Sequence, residues 1–261
     1  MIMIGAYILA GLLSLSIGSF LGAFTYRYEK GESITKGRSK CPNCKRTIRA
    51  IDNIPVISYL LLGGKCRDCG KNISPRYIAI ELSTAMLLFV LGFFVKNCSG
   101  TSPLCTLAGQ GFIGYLSIGI LAFICISIFV VDFEQMVIPD VFTFFGIFVF
   151  TFPLLFSHEL FFLRLAGGFI ASLFLLLLHL GTGGKGMGLG DVKFAILGGL
   201  VLGIKLVVQW FFIAFLLGGV VGVLLLLTKK SKIGKQIPFG PFLVVALFVT
   251  FILGDLSRLL F

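Results

Sequence analysis

Apolar residues lie along the chain in eight long runs separated by polar segments. Several runs approach the ~20 residues that an α-helix needs to cross a bilayer, and the sixth run is the shortest. This pattern predicts an all-α, polytopic membrane protein with about eight transmembrane helices. The predicted spans are residues 2–24, 77–95, 107–131, 141–157, 165–180, 192–204, 206–228 and 239–254.

The composition is that of a chain whose solvent is mostly lipid. Hydrophobic residues make up 57% of the 261 residues, 29 residues are phenylalanine and only 13% are charged. The mean hydropathy is +1.06. These values exclude an ordinary soluble domain. The sequence therefore divides into a first transmembrane helix (1–26), a polar loop (27–76) and a seven-helix membrane core (77–261).

Positive charge predicts the orientation of these spans. The polar loop 27–76 holds twelve of the 22 Lys and Arg residues. Because Lys and Arg favour cytoplasmic loops, we place this loop in the cytoplasm, and alternating spans put 132–140, 181–191 and 229–235 on the same side. Topology and attraction to anionic lipid headgroups explain the net charge of +11, so we expect the bilayer and no nucleic acid as a partner.

Four cysteines of the polar loop form two C-x-x-C pairs, Cys41 with Cys44 and Cys66 with Cys69, separated by 21 residues. Two such pairs predict a tetrahedral zinc site. Two disulfides or four unbound thiols are the alternatives, and a reducing cytoplasm disfavours the disulfides. Four thiolates would leave no coordination position for water, so we expect zinc to fold the loop and not to perform chemistry.

Three acidic residues stand where apolar runs begin or end. Asp132 and Asp140 bracket the segment between the third and fourth runs, and Asp191 follows Gly188 and Gly190 at the start of the sixth. Two spans separate Asp132 from Asp191, and an even number of crossings returns the chain to the same membrane face. The glycines let the backbone bend and approach a peptide closely. A Gly-rich helix start with Asp191 as its N-cap is the structural alternative.

Two carboxyl groups that lie close together and are partly desolvated tend to hold one proton between them. The ionised group can take a proton from water while the protonated group polarises a peptide carbonyl, as in aspartic proteases. An ion-coupled transporter with functional intramembrane acids is the alternative from another class. A transporter would leave the cysteine loop without a role. A methyltransferase or assembly scaffold with structural acids is a third interpretation.

An ordered set of motifs extends over nearly the whole chain. In sequence order they are GSFL at 18–21, GRS at 37–39, DNIPVISY at 52–59, GKCRDC at 64–69, RY at 76–77 with Glu81, Asp132 with IPD at 138–140, GLGDVK at 188–193 and IPFGPF at 237–242. This set resembles the type IV prepilin peptidases, which are membrane aspartic proteases of the G-x-G-D class. Gly22 and the Arg27-Tyr28-Glu29 run depart from the pattern of that family.

The resemblance implies cleavage of the leader peptide from prepilins and pseudopilins at the cytoplasmic face of the bacterial inner membrane. Many members then methylate the new N-terminus, with S-adenosylmethionine as the methyl donor, and the zinc-bearing loop is the region associated with that activity. No Gly-rich nucleotide-binding motif occurs in this loop.

By the same resemblance, the catalytic pair falls on Asp132 and Asp191. Asp140 is the rival for the first role, since the sequence does not say which of the two acids faces Asp191. Family branches that carry Asn at the Pro-Asp position favour Asp132. We expect Asp140, Gly188 and Gly190 to shape the site.

Other polar and aromatic residues have simpler interpretations. His179 receives no role, Trp210 is expected to be an interfacial anchor, and Lys193 is expected to be a positive anchor near the headgroups. A disulfide between Cys98 and Cys105, or two free thiols, are both compatible with their short external loop.

Overall fold

The computed structural model describes residues 2–33, 38–96, 103–108, 111–156, 158–184, 186–228 and 237–254. Cys98 and the predicted loop 229–235 lie outside the described residues, and Cys105 is disulfide-bonded. The chain forms two compact units, Met1–Phe93 and Phe94–Phe261.

Helices account for nearly all regular structure in the described residues. The first unit contains α1 (Ile2–Glu29), a 3-10 turn (Ala50–Asn53), the short α2 (Ile57–Leu61) and most of α3 (Arg76–Lys96). The second contains α4 (Pro103–Ala108), α5 (Phe112–Gln135), α6 (Asp140–Thr151), a 3-10 turn (Phe152–Phe156), α7 (His158–Gly181), α8 (Leu189–Leu202), α9 (Ile204–Leu227) and α10 (Gly240–Leu253).

The predicted all-α class is confirmed, and a helix occupies each of the eight apolar runs. Among the described residues, four helices are long and apolar enough to cross a membrane: Arg76–Val95, Ile113–Gln135, Phe161–Gly181 and Ile204–Leu227. Asp140–Thr151 and Gly240–Leu253 are shorter apolar helices. The chain is therefore a multi-pass membrane protein by length and composition, and eight crossings stay a prediction.

Within the first unit, α1 and α3 pack closely through small residues. A Cβ at Gly18 would lie 2.7 Å from the Glu81 Cα, and a Cβ at Gly22 would lie 3.3 Å from the Tyr77 ring. Such close approach provides the dispersion contact that holds membrane helices together. Gly22, one of the departures from the family pattern, thus makes room for Tyr77.

Within the second unit, α8 is the central helix and packs against α6, α7, α9 and α10. Its closest neighbour is α7, because a Cβ at Gly167 would lie 2.6 Å from the carbonyl oxygen of Gly199. Gly203 ends α8 and precedes α9 with a φ of +76°, a left-handed conformation that favours glycine. The chain therefore turns sharply there and brings α9 back against α8.

The prediction that Trp210 is an interfacial anchor is wrong. Trp210 is fully buried in the second unit, where its ring packs directly on Gly198. Its indole N–H donates to the Leu243 carbonyl oxygen over 2.9 Å. The absent side chain at Gly198 creates the space for this ring, and the indole joins α9 to α10.

Candidate active site and metal centre

Asp132 lies near the C-terminal end of α5, where the helix stops at Gln135 and Met136 adopts the left-handed conformation. The residue is 5% exposed. Its Oδ2 accepts the backbone N–H of Gly240 over 2.9 Å. Because the first N–H groups of a helix have no partner within the helix, the start of α10 supplies a ready donor for this buried carboxylate.

Asp191 lies in the first turn of α8 and is 8% exposed. Its Oδ2 accepts the backbone N–H of Gly188 over 3.1 Å. Gly188 is the N-cap residue, so Asp191 stabilises the helix start from the third helical position and not as the N-cap itself. The Asp191 carboxylate can therefore both stabilise the start of α8 and take part in acid–base chemistry.

The two buried carboxylates lie close enough for the charge of Asp132 to act on Asp191. Helix α10 contacts both α5 and α8, which carry the two acids. Repulsion between two desolvated negative charges favours a state in which the pair shares one proton. The arrangement can thus offer one acid and one base at the same place.

Asp140 has a different environment, although it starts α6 next to the site. Its side chain is 55% exposed and accepts a hydrogen bond from the Lys193 ammonium over 2.7 Å. Lys193, predicted to be a headgroup anchor, pairs with this acid, and its ammonium lies 5.8 Å from the centre of the Phe144 ring. An exposed pair of this kind contributes at most about 1 kcal/mol.

Gly190 has a steric role in the site. A Cβ on it would lie 3.0 Å from the Cβ of Ile138, which is itself buried. The Ile138-Pro139-Asp140 segment therefore packs directly on the first turn of α8.

Two contacts in or next to the site were not predicted from the sequence, one made by Gly240 and one by His179. A Cβ at Gly240 would lie only 2.6 Å from the Asp132 Oδ2, so this glycine is what allows the N–H to reach the carboxylate. The His179 Nδ1 lies 2.7 Å from the Met187 carbonyl oxygen, which ties the end of α7 to the residue before Gly188. The Pro-Phe-Gly-Pro run around Gly240 was a signal for the first residue, whereas an isolated His179 offered none.

The four cysteines of the polar loop come together as the spacing predicts. Cys41, Cys44, Cys66 and Cys69 place their sulfur atoms within 4.8 Å of one another. The Cys41 and Cys69 sulfur atoms are 3.9 Å apart, close to the ~3.8 Å edge of a tetrahedron with Zn–S bonds of about 2.3 Å. The donor set and its size therefore fit a structural zinc ion.

The two C-x-x-C turns repeat the same backbone pattern. The Cys41 N–H donates to the Arg46 carbonyl, and the Cys66 N–H donates to the Lys71 carbonyl, both over 2.9 Å. Each turn then needs a left-handed residue, which is Lys45 in the first and Gly70 in the second. Each turn thus supplies two of the four sulfur ligands of one tetrahedral site.

An ion pair also links the second turn to the residues between the two turns. The Arg67 guanidinium donates to both oxygens of Asp52 at 2.7–3.1 Å. Hydrogen bonding to Arg67 holds the pKa of the Asp52 carboxyl below its ordinary value. This bidentate ion pair therefore fixes the orientation of the segment that leads into α2.

Comparison with known proteins gives the chain its relatives. Residues 12–95 match the profile described as the bacterial peptidase A24 N-terminal domain, and residues 119–223 match that of the type IV leader peptidase family. Proteins named prepilin leader peptidase/N-methyltransferase are similar over most of the chain. The one from Dichelobacter nodosus is 33% identical over 94% of this chain and 90% of its own.

The chain belongs to the type IV leader peptidase family. A similar protein of the same name from Bacillus subtilis is 31% identical over 94% of this chain and 93% of its own length. One from Aeromonas hydrophila is 30% identical over 94% of this chain and 89% of its own length. The predicted family is confirmed, and membership makes this chain an enzyme of the peptidase class. The matched ranges of the family profiles include the four cysteines and the three acids, but not Gly240. No solved structure matches the chain significantly.

The cysteine cluster predicts one bound zinc ion per chain. Replacing Cys44 or Cys66 with Ser should remove most of the zinc from the purified protein, because three thiolates bind a structural zinc ion less tightly than four. Elemental analysis by mass spectrometry measures the zinc content. Cys125→Ala is the matched control, since this cysteine is buried in α5 and outside the cluster. Full zinc in both loop variants would contradict the assignment.

Proposed function

We propose that the chain is a membrane aspartic endopeptidase that removes the leader peptide of type IV prepilins or pseudopilins. The observation that carries this proposal is the buried Asp132 and Asp191 pair, in which each carboxylate is held by one backbone N–H. The names of the relatives supply the substrate class, since they are prepilin leader peptidases. The transporter alternative has no support from these relatives.

The proposed mechanism uses the oxygen atoms that the backbone does not engage. Oδ2 of each carboxylate accepts an N–H, which leaves Oδ1 of Asp132 and Asp191 for water and substrate. The ionised member of the pair takes a proton from water, and the water oxygen bonds to the scissile carbonyl carbon. The protonated member gives its proton to the carbonyl oxygen, which forms a neutral diol.

The second half of the reaction protonates the leaving nitrogen and returns the pair to one ionised and one protonated carboxyl group. The nitrogen of the leaving peptide takes a proton from the carboxyl group that accepted one from water, and the C–N bond breaks. The diol hydroxyl gives its proton back to the other carboxylate as the new carboxyl group forms. The two acids exchange roles within one turnover, so the single proton belongs to the pair and not to either residue.

The site lies at the cytoplasmic face of the bacterial inner membrane in this proposal. Eight crossings with the basic loop 27–76 in the cytoplasm put Asp132, Asp140 and Asp191 on that side. The zinc-bearing loop then stands on the same side as an insertion between the first two spans. The division into residues 1–26, 27–76 and 77–261 follows from this topology.

Asp140 shapes the site in this proposal and does not perform the chemistry. Its carboxylate is engaged by Lys193, and its exposure leaves it without the desolvation that the buried pair shares. The Lys193 pair and the contact between Gly190 and Ile138 both hold the start of α6 against α8.

We also propose that the enzyme methylates the new N-terminus with S-adenosylmethionine as donor. The support is the second half of the relatives' name, N-methyltransferase. When bound, this cofactor supplies an electrophilic methyl group. The zinc-bearing loop is the region we assign to this activity.

Separate Asp132→Asn and Asp191→Asn substitutions should each lower the rate of leader cleavage by about a thousandfold, because each removes one half of the acid–base pair. The rate is measured with the purified full-length protein and a leader-bearing prepilin. Asp140→Asn is the control and should keep most of the activity. Inactive Asp140→Asn together with active Asp132→Asn would reverse the choice of partner.

Gly240→Ala should lower the cleavage rate by about 10- to 100-fold with little change in thermal stability, because the added Cβ pushes the Asp132 carboxylate out of position. The matched control is Gly222→Ala in α9, where nothing lies within 4 Å of the new Cβ. Wild-type activity of Gly240→Ala would show that this N–H does not position Asp132.

With S-adenosylmethionine present, the cleaved product should gain the mass of one methyl group at its N-terminus. Mass spectrometry of the product measures this gain. The Asp191→Asn variant, given a peptide that already begins at the mature N-terminus, should still methylate it if the two sites are separate. Cleavage without added methyl mass in the wild type would leave the peptidase activity alone.

A further inference from the structure

The segment between the two cysteine turns exposes an unusual number of large apolar side chains. Ile51, Ile54, Ile57, Leu60 and Leu61 are each 41–81% exposed. We call these five residues the Ile/Leu patch. Soluble surfaces rarely carry such a run, and contiguous exposed apolar residues mark contact with a membrane or a partner.

A hydrogen bond fixes the depth of this segment relative to α3. The Val56 N–H donates to the Glu81 carboxylate over 2.8 Å. Glu81 is buried and lies five residues into the candidate span that begins at Arg76, which is about 7–8 Å along the helix axis at 1.5 Å per residue. The segment 51–61 is therefore held beside the outer part of a membrane-spanning helix and not out in bulk water.

The backbone conformation of Val56 shows that the surrounding structure holds segment 51–61 in this position. Val56 has a φ of +60°, which a β-branched residue avoids. A residue stays in such a conformation only where the surrounding structure holds it, and the Glu81 carboxylate holds its N–H. The patch is thus presented from a fixed and not a loose segment.

The charges around the patch suit an anionic surface. Residues 38–76 contain nine Lys or Arg and only two acids, Asp52 and Asp68. Both acids are paired with arginines, Asp52 with Arg67 and Asp68 with Arg46. Positive charge remains in excess even after the two negative charges of a zinc tetrathiolate are counted. Such an excess attracts anionic lipid headgroups.

We propose that segment 51–61 is an interfacial anchor that inserts the Ile/Leu patch into the anionic leaflet at the N-terminal end of α3. The depth of Glu81 matches the 5–10 Å to which the apolar face of an interfacial segment enters the bilayer. The basic residues of the two cysteine turns meet the headgroups. The zinc-bearing loop is then fastened to the membrane surface at a third place, besides its two connections to α1 and α3.

Depth-dependent fluorescence quenching tests this anchor in the full-length protein. Leu61→Trp adds a reporter to a chain whose single other tryptophan, Trp210, is fully buried, and wild-type protein gives the background. The protein is reconstituted into vesicles that contain either brominated phosphatidylglycerol or brominated phosphatidylcholine. Thr47→Trp, at an exposed position of the first cysteine turn, is the matched control.

The anchor predicts that bromolipid removes about half or more of the emission added at position 61, while aqueous iodide removes little of it. Brominated phosphatidylglycerol should quench more strongly than brominated phosphatidylcholine, and Thr47→Trp should show the reverse sensitivity, to iodide. Quenching of position 61 by iodide alone would overturn the proposal. Quenching by neither reagent would also overturn it, because a protein surface would then cover the patch. Equal quenching by the two lipids would overturn the anionic preference.

Discussion

Two carboxylates buried in a mostly apolar chain impose the central constraint on the second unit, because a desolvated charge must find hydrogen-bond donors. The donors are backbone N–H groups at the starts of helices, Gly240 for Asp132 and Gly188 for Asp191. Unlike a basic side chain, a backbone donor brings no full positive charge that would neutralise the pair. Backbone donors can therefore hold the two acids in place and still let the pair share one proton.

Close backbone approach makes this arrangement possible. Gly167 lets α7 and α8 touch, Gly198 makes space for the Trp210 ring, and Gly203 turns the chain back between α8 and α9. The indole of Trp210 then joins α9 to Leu243 in α10, the helix whose first residue reaches Asp132. The position of the Asp132 carboxylate thus depends on how the Trp210 ring packs between α8 and α10.

Sequence patterns predicted the helices well, because lipid requires long apolar runs and internal backbone hydrogen bonding. Cysteine spacing likewise predicted a cluster, since two C-x-x-C turns make tetrahedral geometry easy. Three features escaped prediction. The Gly240 donor is a backbone group, so the Pro-Phe-Gly-Pro run around it does not reveal which acid it contacts, and the Lys193 partner of Asp140 lies 53 residues away in the sequence. An isolated Trp210 near the start of an apolar run has the same pattern whether it meets lipid or protein.

The repeated cysteine turns have a consequence for the order of events during synthesis. The first turn supplies only Cys41 and Cys44, and the second pair follows 21 residues later. A translating ribosome must therefore release Cys69 before the metal site can close, and by then α1 has already left the exit tunnel. Arg76, where α3 begins, follows Cys69 by seven positions, so the four thiols are complete only just before α3 is synthesised. The loop can therefore fold around a metal ion only after α1 has been made.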